Sequence, residues 1–311
     1  MTSQISGVFA ALLTPIDDFG RPDLAAFDRL LDFILERGVD GVVIGGATGE
    51  YAHFELDDRV RVARHAAKRL RDRAQVLSCI GASSIHSTLR LARRLQATGN
   101  EALLLPMPHF FRYEQEDLKA FCRTVCSLID ERFLLYNLPS FTNRLEVGTA
   151  IELLESTPNL IGIKDSSGQK SNLAPLAKAR AAANFSLLVG DDSLLLSALR
   201  AGWDGVISGI ACFAPELVKA VYRSHRDGLS NEAARFQAML DEIIEWVVRF
   251  PIPWAVRIAL AARGIPNGPM HIPLSPERSR QISEFRSWFS DWASKQGLAL
   301  EQVWSFDRRA A

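Results

Sequence analysis

Between residues 7 and 225 the chain repeats one beat: a short, almost purely apolar run, then a longer amphipathic stretch, then another apolar run. The runs are Gly7–Leu13, Gly41–Ile44, Val76–Ile80, Ala102–Leu105, Phe133–Tyr136, Leu160–Lys164, Ser186–Val189 and Gly205–Ile207. They lack the polar alternation of a strand with one wet face, so they predict strands covered on both sides, as in a parallel sheet. Between them the spacing predicts helices such as Leu24–Arg37, Asp57–Leu70, Ser84–Ala97, Gln115–Asp130 and Ser193–Ala201. Gly38, Gly99 and Gly202 stand where helices commonly end. Eight strand–helix units of roughly 25 to 30 residues match an α/β fold of the closed (β/α)8 TIM-barrel type, about 250 residues long. An open doubly wound sheet is the alternative, but the first strand lacks the Gly-x-Gly-x-x-Gly turn of a dinucleotide-binding sheet. Farther on the pattern is helical only, over Glu232–Val248, Pro253–Ala262 and Pro276–Trp292. The expected organisation is a barrel over residues 1–228 and a C-terminal helical region over 229–311, with no linker rich in Ser, Pro or Gly.

Composition narrows the class of partner. The 36 Lys+Arg balance 36 Asp+Glu, for a formal net charge of zero. That leaves no long-range attraction for nucleic acid or an anionic membrane, and neither is an expected partner. The N-terminus lacks a charged region ahead of its apolar stretch, and no run reaches about 18 apolar residues, so the chain reads as cytoplasmic. Cys79, Cys122, Cys126 and Cys212 are too scattered for a disulfide framework. Cys122 and Cys126 share a helical face, which favours core packing over zinc ligation. The six histidines, at 53, 65, 86, 109, 225 and 271, form no His-x-His or His-Glu-x-x-His pattern, so the sequence offers no visible catalytic metal site.

A parallel barrel carries its chemistry at the C-terminal ends of its strands. Three polar groups stand there: Gly45-Gly46-Ala47-Thr48-Gly49-Glu50 after the second run, Tyr136-Asn137-Leu138-Pro139 at the fifth, and Lys164-Asp165-Ser166 at the sixth. Lys164 is one of only seven lysines among 36 basic residues. In a chain that overwhelmingly uses Arg, a Lys at a partly buried strand end points to a task a guanidinium cannot perform, nucleophilic attack by a neutral amine. The competing reading is an ion pair with Asp165 or Asp191, and position alone does not separate the two. Tyr136 ends its own apolar run and offers a phenol for proton transfer, though a packed, hydrogen-bonded Tyr fits the pattern as well. The glycines at 45, 46 and 49 let backbone N–H groups approach a carboxylate, with the Thr48 hydroxyl as a further donor; a plain tight turn has the same spacing.

Taken together, Gly46-Ala47-Thr48-Gly49-Glu50, Tyr136-Asn137-Leu138-Pro139, Gly162-Ile163-Lys164-Asp165, Gly190-Asp191-Asp192 and Gly205-Val206-Ile207-Ser208 resemble the dihydrodipicolinate synthase/N-acetylneuraminate lyase family, in order and with its separations. The resemblance spans nearly the whole chain. It implies a class I enzyme of pyruvate-type 2-oxo acids, without metal or other cofactor, on a (β/α)8 barrel that usually assembles as a dimer of dimers. By that similarity Lys164 forms a Schiff base, Tyr136 shuttles protons, and Thr48 with its neighbouring N–H groups holds the pyruvate carboxylate. Gly46, Ala47, Gly190, Asp191, Ile207, Phe141 and Phe110 become expected substrate contacts. The partners so implied are a 2-oxo acid and an aldehyde.

The chain also departs from that pattern. Dihydrodipicolinate synthase proper commonly has a second hydroxyl where this chain has Ala47. It commonly offers a neighbouring subunit's Tyr after the fourth strand, where Pro108-His109-Phe110-Phe111 stands. It usually carries an Arg two residues after the Pro of Tyr-Asn-x-Pro, where Phe141 stands. Replacing a bidentate carboxylate clamp by apolar surface argues against an aspartate semialdehyde acceptor. The expected activity is therefore cleavage or formation of a 2-oxo-3-deoxy sugar acid, with Asp191, Asp192, Ser166, Ser208 and Thr142 as candidate hydroxyl ligands. The alternatives are dihydrodipicolinate synthase itself, a dehydratase on the same imine, and a non-catalytic 2-oxo-acid-binding protein. His109 is a candidate for proton transfer or a solvated rim residue, and His271 is assigned no catalysis.

Overall fold

The computed structural model describes residues 4–181 and 183–298; the ends of the two expected regions, 1–3 and 299–311, lie outside the described residues. Eight parallel strands close in sequence order into one barrel, β8 pairing back onto β1. They are β1 (Gly7–Ala11), β2 (Gly41–Ile44), β3 (Gln75–Cys79), β4 (Ala102–Pro106), β5 (Phe133–Asn137), β6 (Leu160–Asp165), β7 (Ser186–Val189) and β8 (Gly205–Ser208). Helices α1 (Leu24–Glu36), α2 (Leu56–Leu70), α3 (Ile85–Leu95), α4 (Gln115–Leu128), α5 (Val147–Ser156), α6 (Leu173–Arg180), α7 (Leu195–Arg200) and α8 (Pro215–Arg226) follow the strands in turn. After them come α9 (Ser230–Val247), α10 (Trp254–Ala262) and α11 (Pro276–Lys295).

Local chemistry sets the helix starts. The Asp23 carboxylate accepts from the N–H groups of Ala25 and Ala26 at the head of α1, and the Ser84 hydroxyl accepts from Ser87 at the head of α3. Each satisfies donors that a first turn leaves unpaired. In α1, Phe27, Leu30, Leu31 and Ile34 are buried, the i, i+3, i+4, i+7 stripe of a helix lying on a sheet. The first strand stops at Ala11 rather than at the expected Leu13, because the Leu13 N–H turns to the Cys212 Sγ, 3.4 Å away, instead of a ladder carbonyl.

The strands bury both faces. Val8 and Ala10 of β1 join the layer between sheet and helices, while Phe9 and Ala11 join a second cluster inside the barrel with Val43, Leu77, Leu104, Leu134, Leu188 and Ile207. That division is the period of two expressed on a closed sheet. From the C-terminal helices, Leu240, Ile243, Phe285 and Phe289 enter the same outer layer, with Phe289 edge-on to Phe213 at 5.5 Å between ring centroids. Cys79, Cys122, Cys126 and Cys212 are free and buried, Cys122 lying 3.8 Å from the Met107 Sδ. No helix among the described residues is long and apolar enough to cross a membrane.

Candidate active site

One irregularity in the sheet aims the key side chain. Along β5 and β6, Phe133 pairs with Leu160 but Leu134 pairs with Gly162, so Ile161 is an extra residue. Side chains alternate faces, and a one-residue bulge reverses the phase of everything after it. Leu160 faces the helices, and without the bulge Lys164 would face them too. With it, Gly162 and Lys164 turn inward beside Leu134 and Tyr136, and Lys164 pairs directly with Tyr136 across the two strands.

Lys164 is 4% exposed and lines a cavity of about 370 Å³ at the C-terminal end of the barrel. Its Nζ lies 4.2 Å from the centre of the Tyr136 ring. Burial lowers its pKa from 10.5 to about 8, an effect that the neighbouring Cys79 and Asp192 only partly oppose. The proposed ion pair with Asp165 or Asp191 does not form. The Asp165 carboxylate accepts from Asn137 Nδ2 at 2.9 Å, Asn172 Nδ2 at 3.1 Å, Ser167 N at 3.1 Å and Ser167 Oγ at 3.0 Å, so its acceptor positions are occupied. Asp191 accepts from the Ser193 N–H and hydroxyl, opening a short 3₁₀ turn over Asp192–Leu194.

Tyr136 is buried, and desolvation pushes its phenol well above the ordinary tyrosine value despite the Ser166 hydroxyl beside it. It is therefore a neutral O–H, able to donate and accept. Gly190 closes the site from the β7 side: a Cβ there would sit 1.9 Å from Ser166 Oγ and 2.8 Å from Lys164 Cε. On the opposite wall, Ala47 and Thr48 line the cavity. Neither of their backbone N–H groups nor the Thr48 hydroxyl has a hydrogen-bond acceptor among the described residues. Two free N–H groups and a hydroxyl on one loop are a cradle for a carboxylate.

Of the other expected contacts, Asp191, Gly190, Ile207 and Phe141 line the cavity, Phe141 at its rim and 49% exposed. Gly46 is buried behind the loop and is not among the lining residues. Phe110 does not reach the cavity; it is 85% exposed, and its φ of 80° turns the chain outward there. Among the hydroxyl candidates, Ser166 and Asp192 line the cavity and Ser208 and Thr142 do not. The Thr142 hydroxyl instead bonds Leu138 O at 3.0 Å, and the Ser208 hydroxyl accepts from Ala211 N at 2.8 Å. Asp192 carries a buried Oδ1 without a hydrogen bond, and burial raises its pKa to about 6.

A second cavity of about 270 Å³ adjoins the first, lined by Glu50, Tyr51, His53, His109, Phe141 and Ile252 among others. His109 is part-buried there, its Nδ1 3.4 Å from the Tyr51 hydroxyl, and burial lowers its pKa. Glu50, buried in the left-handed region at φ 54°, takes two bonds from the fully buried Arg257 on its Oε2. The third wall of the main cavity was not expected from sequence. Ile244, Val247, Val248, Pro251, Ile252 and Val256, from α9, α10 and the turn between them, cap its outer side. The only signal was an apolar density in residues 243–256 beyond what a solvated helical tail requires.

Known proteins resemble this chain in sequence and in fold. Residues 4–290 match the model of the Dihydrodipicolinate synthetase family. The chain is 32% identical over 280 residues to the 4-hydroxy-tetrahydrodipicolinate synthase of Thiobacillus denitrificans, covering 88% of this chain and 92% of that one. To the Moorella thermoacetica protein of the same name it is 30% identical over 274 residues, covering 87% and 92%. The solved 4-hydroxy-tetrahydrodipicolinate synthase of Methylacidiphilum fumariolicum superposes with a TM-score of 0.87 at 27% identity, covering 94% of this chain and 98% of that one. These names match the synthase alternative and lend no support to the sugar-acid preference. On the extent of the match, in sequence and in fold, the chain belongs to the dihydrodipicolinate synthetase family.

Proposed function

We propose that the main cavity is the site of an imine-forming, pyruvate-dependent lyase or synthase. The observation that carries the reading is a buried amine of lowered pKa, free of ion pairing, set between a neutral phenol and an unfilled carboxylate cradle. In this reading Thr48 and the N–H groups of Ala47 and Thr48 hold the pyruvate carboxylate. The neutral Lys164 Nζ attacks the C2 ketone, and Tyr136 passes protons as the carbinolamine loses water. The resulting iminium draws electrons from C3, which loses a proton to give an enamine; the enamine carbon then bonds to an aldehyde carbon, whose oxygen takes up a proton. Hydrolysis returns the amine, and the reverse sequence cleaves the same C–C bond.

For the acceptor we infer an aldehyde without a carboxylate clamp. Phe141 lines the rim where a guanidinium would hold a second carboxylate, and Asp191, Asp192 and Ser166 offer hydroxyl ligands along the wall. That supports a hydroxylated aldehyde, hence a 2-oxo-3-deoxy acid as the condensed product. The names of the relatives favour the second reading, 4-hydroxy-tetrahydrodipicolinate synthase, for which the acceptor would be aspartate semialdehyde. The exposed, edge-on Phe110 and Phe111 rings, 5.0 Å apart, support homo-oligomerisation through the loop after β4.

Borohydride reduction with pyruvate tests the core of the reading. A pyruvyl adduct on Lys164, absent in Lys164→Ala, is expected; saturable pyruvate binding without an adduct would leave only a binding protein. Steady-state rates with aspartate semialdehyde against hydroxylated aldehydes then decide the acceptor. Ordinary enzymatic turnover of aspartate semialdehyde by the unaltered chain overturns the role given to Phe141.

A further inference from the structure

Glu50, His53 and His271 meet beside the second cavity, on a turn after β2 and on the segment between α10 and α11. One donor atom from each lies within 4.8 Å of the other two. His53 Nδ1 is 3.6 Å from Glu50 Oε1, His271 Nε2 is 3.6 Å from Glu50 Oε2, and the two imidazole rings are 4.2 Å apart between centroids. These separations are too long for hydrogen bonds. The two histidine–carboxylate separations, each to a different oxygen of Glu50, approach the edge of a coordination tetrahedron: two ligands each about 2.0–2.1 Å from a zinc ion stand about 3.4 Å apart.

Two features mark the cluster as incomplete rather than merely crowded. His271 Nε2 is buried and has no hydrogen-bond partner, and a buried polar atom left unpaired costs about 1–3 kcal/mol. Glu50 is held at φ 54°, a conformation a residue with a Cβ adopts only when its surroundings impose it. Arg257 directs two of its bonds to Oε2, which leaves Oε1 towards His53.

We propose that Glu50, His53 and His271 form a binding site for a divalent transition-metal ion, of the two-histidine, one-carboxylate class that suits zinc. Three protein ligands leave a fourth position open towards the second cavity. The ion ties the loop that carries Ala47 and Thr48 to the chain between α10 and α11, so its expected role is to stiffen the wall of the site, not to act on the substrate. The nearby guanidinium of Arg257 weakens the attraction relative to a site with an unshared carboxylate. This inference stands apart from the imine chemistry and survives its failure.

Calorimetric titration of the metal-free full chain with zinc chloride is expected to show one saturable site, and cobalt(II) to give the intense visible bands of tetrahedral coordination. Zinc should also raise the melting temperature, since it binds only the folded chain. His53→Ala removes a half-exposed side chain and His271→Ala a mostly buried one; each should weaken zinc about tenfold or more and abolish the melting shift. His86→Ala, on the surface of α3, should do neither. Absence of saturable one-to-one binding, or equal affinity in His53→Ala and the unaltered chain, overturns the proposal. If His271→Ala fails to fold, His53→Ala and the cobalt spectrum decide alone.

Discussion

Lys164 makes its chemistry readable as a function of pH. With burial holding its pKa at about 8, about one amine in ten is neutral at pH 7, against about one in 3,000 for an ordinary lysine. The rate of imine formation with saturating pyruvate, trapped by excess borohydride so that reduction is not limiting, should follow that neutral fraction. It should rise about 50-fold between pH 6 and pH 8 and level off above pH 9. Intact mass at timed quenches supplies the rate, and peptide mapping confirms the residue. The same shift has a stability consequence of definite sign. The folded chain holds the Lys164 proton less tightly than the unfolded chain, so stability increases as pH rises from about 8 towards 10.5. A shift of this size amounts to at most about 3 kcal/mol, and Lys164→Met should be more stable than the unaltered chain at pH 7, with the difference closing at high pH. Urea unfolding of both proteins across that range measures it. A trapping rate that climbs without a plateau to pH 10, or a Lys164→Met variant less stable at pH 7, would refute the buried-amine reasoning.

Gly190→Ala should drive a methyl group into Ser166 Oγ and Lys164 Cε, cutting the trapping rate at least about tenfold and costing about 1–3 kcal/mol by urea melts. Asn137→Ala removes a donor from buried Asp165 and the acceptor for the Leu145 N–H; a loss of about 2–4 kcal/mol is expected, and a change below 0.5 kcal/mol would show the network to be dispensable. Arg257→Met strands the Glu50 carboxylate and should cost about 3–5 kcal/mol, while the pair Glu50→Leu with Arg257→Met should recover much of it in a double-mutant cycle. Phe141→Arg should raise the rate with aspartate semialdehyde relative to a neutral aldehyde, and an unchanged ratio would remove Phe141 from the specificity argument.

How much was legible in the chain depends on whether a feature is local. The eight apolar runs sufficed for strand order and closure, since strands buried on both faces and separated by helices have few ways to assemble. The helix starts at Asp23 and Ser84 are set by side chains a few residues from the donors they satisfy. The strand-end position of Lys164 and Tyr136 was likewise visible, because it needs only the end of an apolar run. Phe110 misled: an aromatic residue after β4 has the right sequence position, but its left-handed backbone carries the ring out to solvent.

Sequence by itself thus determined the barrel, its direction and the strand ends that carry the polar groups. Tertiary structure alone decided which way those groups point. The extra residue at Ile161 turns Lys164 from the helix layer into the cavity, and only pairing with β5 reveals a register slip. The outer wall from α9 and α10, the full hydrogen bonding of Asp165 that frees the amine, and the approach of His53 to His271 all join segments remote in the chain. Periodicity reports on what lies one turn or one strand away, whereas these contacts depend on how packed elements close on one another in space.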